Sequence, residues 1–518
     1  MRSQPLKPVT GCNVTKSCWG IDQQRLLSGL PQMTLKVALV SLSSVGIGLV
    51  VIVATHLVDN PKLLVGVLGV IAFVLLTMQW PEFSILCYVA LLSGLISLTW
   101  LPLLPLGPVS LHISDFMLML LVGLTALRAT SRPGFRLVGS PLLLPLFLFV
   151  GAYLLSAVNA ILIYGVGPNT VLRTVRVLSE WLIFVPILEL VRDEQALRRL
   201  LVGLLGLTGI LLIGVLFPNK FEPFVPVQVS AAQTGSQLYE GFSRFYYPGD
   251  IILYFMIPVT VASLAIVDKG KQIWRVGLLG LLLYWVVKTF FRQYWLTLSC
   301  TCALLVVTFS SVERVRLLRR VAPVMIGCML ILIVLIAVNP AWVEDVTYPV
   351  VDRVTSLARN PLKRESSLQW RAIETRYALL QIGRHPLLGL GLGNSYRPPM
   401  VLESETTDFS DWTGRYVENG YLWIAVMMGL VGLLPFLWLC AAHLLRLIRH
   451  YPEIQDDSLR ATYLGYGAAF LGMVVCNIAT PTFVIGTRLI FFPVAMAISE
   501  VILRLEREKG GHQWLPSA

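Results

Sequence analysis

Fourteen apolar runs, most of them near the length that crosses a bilayer, govern what this chain can fold into. They lie near 35–55, 62–79, 83–104, 110–128, 141–163, 171–191, 199–217, 246–267, 273–290, 293–310, 321–339, 419–446, 460–480 and 484–505. A spanning helix needs about 20 predominantly apolar residues, fewer when it is flanked by snorkelling side chains. In hydrocarbon every backbone polar group must be satisfied inside the protein, so such runs become helices. Only 14% of the 518 residues are charged and 56% are hydrophobic, whereas a soluble domain carries about 25% charged residues. The expected fold class is an all-α polytopic membrane protein with about 12–14 transmembrane helices.

Orientation follows from where the basic residues fall. Arg128/Arg132/Arg136, Arg192/Arg198/Arg199, Lys269/Lys271/Arg275, Arg314/Arg316/Arg319/Arg320 and Arg446/Arg449/Arg460 occupy every second connection. One register makes them all cytoplasmic, together with the Arg504/Arg507/Lys509 tail, and places both termini inside. The net charge of +12 is thereby explained by topology and lipid headgroups, and no nucleic-acid partner is expected. Residues 1–34 are polar and basic without an early apolar run, which reads as a cytoplasmic tail and not a cleavable signal peptide. Six of the eight cysteines fall in apolar runs, and no CxxC or Cys/His metal spacing occurs, so neither a metal nor a cofactor is expected. The expected division is a basic tail (1–34), N-terminal transmembrane helices (35–339), a large external loop (340–418), C-terminal transmembrane helices (419–505) and a cytoplasmic tail (506–518).

The external loop is the anomaly. Residues 340–418 hold nine basic side chains (Arg353, Arg359, Lys363, Arg364, Arg371, Arg376, Arg384, Arg397 and Arg415) beside ten acidic ones. Lys and Arg are normally scarce on that side of the membrane. Their presence points to an anionic ligand, such as the phosphate of a lipid carrier. Ser366–Gln369 has the form of a capping box, and Trp370, Ile373, Tyr377 and Leu380 recur at helical spacing. The pattern predicts an amphipathic helix over 367–382, closed near Gly383 and stopped by His385-Pro386. Glycines then alternate through Gly389, Gly391 and Gly393. Alternation permits a phosphate-cradling loop or a turn that returns the chain to the bilayer, and the spacing favours the turn. Glu418 precedes a long apolar helix; it is either a charge complementing that helix's N-terminus or a general base, with Asn419 as its partner.

Charges inside or bordering apolar runs are costly and therefore suspect. Arg176 and Glu180 stand four apart and have the spacing to pair. Asp115 and His112 sit near another helix start, and Ser243-Arg244 precedes Pro248-Gly249-Asp250. Lys288 and Arg292 flank a very short external turn, which holds Arg292 close to the bilayer surface, where it suits a diphosphate headgroup.

Arg371 on a helix, His385-Pro386-Leu387-Leu388-Gly389-Leu390-Gly391, Glu418-Asn419-Gly420-Tyr421-Leu422 and the Gly429-Leu430-Val431-Gly432-Leu433 stretch together resemble the O-antigen ligase/O-antigen polymerase superfamily. Phe291-Arg292-Gln293 falls where that family has Ser-Arg-Gly, and Ser243-Arg244 with Pro248-Gly249-Asp250 loosely matches another family stretch. The resemblance spans roughly 240–440 and rests on the order and spacing of the motifs. It implies a membrane glycosyltransferase of GT-C-like architecture that needs neither metal nor nucleotide sugar. The donor would be an undecaprenyl-diphosphate-linked glycan, the acceptor a lipid or another glycan, and the site would face the periplasm of a bacterial inner membrane. By position the catalytic roles fall on Glu418, Arg371 and Arg292, with Arg244, Lys288, Gly391, Asn419 and Tyr421 at the substrate. The sequence departs from the family where Glu418 replaces a histidine and where Phe-Arg-Gln replaces Ser-Arg-Gly. The competing expectations are a polysaccharide or lipid transporter or flippase without catalysis, and a scaffold whose external loop binds a partner protein. Convergence of Arg292, Arg371 and Glu418 on one outer-facing cavity favours the enzyme, scatter favours the scaffold, and a midplane cavity favours transport.

Overall fold

The computed structural model describes residues 61–95, 104–106, 109–130, 137–217, 228–234, 237–246, 249–268, 272–289, 291–338, 366–398, 414–484 and 486–509. The apolar run at 35–55, both tail cysteines and the basic residues Arg353, Arg359, Lys363 and Arg364 lie outside them. The chain divides into two units. The first is Met1–Val70 with Thr130–Phe135, of which only Pro61–Val70 and Thr130 are described; the second, Ile71–Ala129 with Arg136–Ala518, holds the candidate site.

The chain is helical and polytopic. In order it forms α1 (Pro61–Gln79), α2 (Pro81–Leu92), α3 (Ile113–Thr130), α4 (Leu143–Leu162), α5 (Pro168–Ser179), α6 (Phe184–Leu190) and α7 (Glu194–Leu216). Then come α8 (Asp250–Ile266), α9 (Gln272–Thr289), α10 (Arg292–Thr308), α11 (Ser311–Val338), α12 (Ser366–Arg384), α13 (Gly420–His450), α14 (Asp457–Cys476), α15 (Gly486–Leu489) and α16 (Phe491–Lys509). Among the described residues α3, α4, α7, α13 and α14 are long and apolar enough to cross a membrane, and α2, α8 and most of α10 are apolar but shorter. Leu144, Leu148, Leu155 and Val158 of α4, and Ile210 and Ile213 of α7, are exposed. A soluble protein rarely displays such a face; lipid covers it here.

Local chemistry sets the helix ends. Asp193 and Asp456 cap α7 and α14, accepting the N–H groups of Ala196 (2.7 Å) and Leu459 (2.8 Å). Ser310 and Glu313 form a reciprocal capping box at the start of α11. The basic stretch Arg314–Arg320, expected as a loop, lies inside α11. Its arginines meet the open carbonyls ending α8: Arg316 donates to Ile266 (2.9 Å) and Arg320 to Leu264 (2.6 Å). Positive charge at a helix C-terminus is favourable.

The run 171–191 stays helical but changes helix type along its length. Pro168 starts α5, which presents Arg173 and Arg176 and ends in a 3-10 turn at Glu180–Ile183 before α6. Arg176 pairs with Asp115 of α3 at 2.9 Å. Two antiparallel hairpins lie between the helices, β1 (Leu104–Leu106) with β2 (Val109–Leu111) and β3 (Gln228–Thr234) with β4 (Gln237–Tyr246). β4 is rich in aromatic residues, which suit extended backbone.

The core is built on α14, against which α8, α10 and α16 pack, while α13 packs on α4 and α12 lies on α13. Small residues allow the close approach: a Cβ on Gly465 would stand 2.4 Å from Val259 Cα, and one on Gly472 would meet Thr301 and Tyr254. A buried aromatic cluster joins α4, α13 and α16, with Phe436–Phe483 at 4.8 Å and Phe483–Phe492 at 4.2 Å between ring centroids.

Candidate functional site

α12 forms over Ser366–Arg384, close to its predicted limits, and carries Arg371 and Glu374 three positions apart, neighbours on one helical face. The start of α13 comes to meet them. Arg371 Nε donates to Glu418 Oε2, an ion pair whose side chains remain 34% and 40% exposed. One residue's backbone away, the Glu418 N–H donates to Glu374 Oε2 at 3.1 Å. Glu374 itself is 3% exposed. Burial pushes its carboxyl from the ordinary 4.5 up to about 7; the Glu418 N–H opposes the shift, the Glu418 charge adds to it, and Arg397 and Trp370 oppose it.

Arg397 is buried and lies 4.3 Å over the Trp370 ring, with its Nε donating to the Tyr396 hydroxyl at 3.3 Å. Burial also raises the Tyr396 phenol. The Tyr396 N–H donates to Gly414 O (3.0 Å) and Gln381 donates to Tyr396 O (3.2 Å), so the segment is tied both to α12 and to the chain entering α13.

The glycine-rich stretch is the returning turn. Gly389, Gly391 and Gly393 all have positive φ. The Leu390 and Gly391 N–H groups donate to Val426 O (2.8 Å) and Met427 O (3.0 Å), and Leu430 and Val431 donate back to Pro386 and Leu387. α13 is broken between these pairs at Gly429 (φ 62°, ψ −161°). The stretch therefore fills a break in a spanning helix, and the N–H groups of Leu390 and Gly391 are occupied by carbonyls. A Cβ on Gly391 would stand 2.6 Å from Ala160 Cα. Gly391, expected at the substrate, is placed against α4.

Asn419 and Tyr421 are likewise engaged. Asn419 caps α13, accepting from the N–H groups of Tyr421 (3.0 Å) and Leu422 (3.1 Å), and Tyr421 OH donates to Val474 O at 2.6 Å. Arg244 pairs through its backbone position with Ser230 in the β3–β4 hairpin, and β4 lies on α9. Lys288 ends α9 with its Nζ 5.9 Å from the Tyr284 ring centroid. His385 Nδ1 lies 3.1 Å from Tyr164 OH, consistent with a turn residue.

The turn after α14 draws the remaining motifs together. Asn477 O accepts the Gly420 N–H at 2.8 Å, and a Cβ on Gly420 would stand 2.2 Å from Asn477 Oδ1. Three residues on, Thr480 donates to Gln293 Oε1 at 2.8 Å. Arg292, first residue of α10, and Glu418 are thus each within two residues of contacts to one turn. Beside it Asp250 accepts from Tyr294 OH and from Arg488 Nη2 (3.3 Å), and the Arg488 guanidinium lies 5.7 Å from the Tyr294 ring.

Glu374, Arg397, Asn477 and Arg488 were not singled out by the sequence as site residues. Two had a signal: Glu374 follows Arg371 by three on the same helix, and Arg488 is a charge inside an apolar run. The other two are placed by long-range contacts.

The molecule is thus a multi-pass membrane protein with an arginine–carboxylate site at the N-terminal end of α13, and a family comparison adds to this. Residues 277–437 match the family model described as O-Antigen ligase, which supports the O-antigen ligase/O-antigen polymerase superfamily. Arg292, Arg371 and Glu418 all fall inside the matched stretch. No curated protein matches the chain significantly.

Proposed function

We propose that this protein transfers a glycan from undecaprenyl diphosphate to a lipid or glycan acceptor at the periplasmic face of a bacterial inner membrane, inverting the anomeric centre without a metal. The observation that carries the reading is the Arg371–Glu418 pair, half open to solvent and linked through the Asn477–Thr480 turn to the helix start that bears Arg292. Diphosphate leaves readily once its charge is held, so the protein's work is mainly positioning and electrostatics. A guanidinium fork binds phosphate oxygens bidentately and stays charged. Arg371 and Arg292, helped by Arg244, hold the diphosphate. Phosphate competes with Glu418 for Arg371, and the released carboxylate takes the proton of the acceptor hydroxyl as it attacks the anomeric carbon.

A transporter remains the rival reading. It is less well supported, because the charged cluster lies at the start of α13 beside the polar helix α12, whereas transport sites lie near the bilayer midplane. Complementation of a deletion strain distinguishes them. At normal membrane levels, Arg371→Ala and Arg292→Ala should each lower long-chain surface glycan synthesis by about 10²–10³ in rate. Near-native product from both variants contradicts the assignment.

A further inference from the structure

The last turns of α12 differ from the rest of the helix. Arg376, Leu379, Leu380, Gly383 and Arg384 recur at i, i+3, i+4, i+7 and i+8, form one stripe and are all exposed, while Glu374 and Ala378 on the other side are buried. Exposed Leu387 and Leu388 continue the apolar surface past the helix end. Two spanning helices set the depth of this end. With the charged end of α13, from Arg446, placed outside the hydrocarbon, a core of about 30 Å runs back about 20 residues from Leu445, to the neighbourhood of Ala425. The Leu390 N–H donates to Val426 O (2.8 Å) and the Val431 N–H to Leu387 O (3.2 Å), so the turn after α12 is held just inside that edge. α4 gives the same level. Its last apolar turn meets the glycines, with Asn159 Nδ2 donating to Gly389 O at 3.4 Å, and Leu162 and Ile163 at its end are exposed.

We propose that the C-terminal end of α12 and the turn after it form a phospholipid-binding surface, dipped into the leaflet on the side of the α13 start. Leu379, Leu380, Leu387 and Leu388 lie among acyl chains, and Arg376 and Arg384 hold the phosphates of bilayer lipids. The occupant is bilayer lipid because the stripe runs into surface already turned to lipid. Leu387 is bonded to Val431, which is exposed on α13 beside Leu430, and His385 contacts Tyr164 just past the exposed end of α4. Both charges on the stripe are positive, which matches phosphate and suits arginine, whose stem lies along apolar surface while its head reaches the interface. The surface anchors the helix that bears the candidate site: Arg371 stands 13 residues before Arg384, about 20 Å along the axis. The inference goes beyond the glycosyl-transfer reading and does not depend on it.

The test uses the full-length wild-type chain in nanodiscs of phosphatidylethanolamine and phosphatidylglycerol. One phospholipid has a diazirine at the end of an acyl chain, and labelled residues are mapped by peptide mass spectrometry after irradiation. The acyl probe should mark Leu387 and Leu388, as it marks Leu162 and Ile163, and should leave Ala372, exposed nearer the start of α12, unmarked. Absence of label from Leu387 and Leu388, or equal label on Ala372, overturns the insertion. Loss of that label in a cross-linkable dimer gives the surface to a second copy of the chain and overturns it too. A second phospholipid with the diazirine on its headgroup should mark the Arg376–Arg384 stretch. The double variant Arg376→Glu, Arg384→Glu should lose about tenfold or more of that headgroup label while Leu162 and Ile163 keep theirs from the acyl probe. Unchanged headgroup labelling overturns the phosphate contact. None of these readings requires turnover, so loss of the transfer assignment would leave them standing.

Discussion

Glu374 and Glu418 show how much environment does to one residue type. Glu418 sits at a helix start with its carboxylate exposed to an arginine; Glu374 is four-fifths of a turn past Arg371 on α12 and buried. Burial raises the Glu374 carboxyl from 4.5 to about 7, so over this window the folded protein binds a proton that the unfolded chain has lost. The sign follows from linkage: the contribution favours folding below pH 4.5 and is lost as pH rises to 7. The loss is on the order of 3 kcal/mol. Thermal unfolding in detergent should therefore show Glu374→Gln gaining on the wild type as pH rises from 5 to 8. A constant difference across that range contradicts the buried-carboxyl assignment. Glu418 was legible in the sequence because a motif placed it. For Glu374 only the spacing from Arg371 was legible; its surroundings include Tyr396 and Arg397, some twenty residues away in the chain.

At the scale of elements, the site depends on a repair. α13 is a 31-residue helix, roughly 45 Å if straight and enough to cross a hydrocarbon core of about 30 Å. Its break at Gly429 frees backbone groups that would be costly in hydrocarbon, and residues 386–391 satisfy them. That exchange anchors the segment between α12 and the site to the membrane helices. It also explains why alternate glycines stand there: the sequence pattern showed the permitted conformations, and which partner they approach came from α4 and α13 alone. Gly391→Ala forces a Cβ to within 2.6 Å of Ala160 at a φ of +84°, and should lower stability by at least about 2 kcal/mol. Gly383→Ala, facing open space on α12, serves as the control. Equal melting of the two variants contradicts the close-packed role of the glycine turn.

Across the whole molecule, charge is separated along α13. At its start lie Arg371, Glu374 and Glu418; near its far end Arg446 grips Glu500 of α16 through two bonds of 2.7 and 2.9 Å, with Ser140 donating to the same carboxylate at 2.8 Å. Removing one partner of such a buried pair typically costs about 3–5 kcal/mol. The helical class was readable from composition and periodicity, because lipid imposes it. The Arg176–Asp115 pair was not, since α3 and α5 lie far apart in sequence. Nor was the Asn477–Thr480 turn, which gathers Gly420 and Gln293 by contacts no local pattern encodes. The same turn underlies the central claim, that guanidinium groups at this rim hold a lipid diphosphate while its glycan departs. The most direct test is the purified protein in nanodiscs with a polyprenyl-diphosphate-linked glycan and an acceptor, following both lipid and sugar. The account predicts free polyprenyl diphosphate appearing one for one with a lengthened acceptor of inverted anomeric configuration, slowed about 10²-fold or more in Arg371→Ala. Donor that crosses the bilayer intact, with no free diphosphate formed, would contradict it.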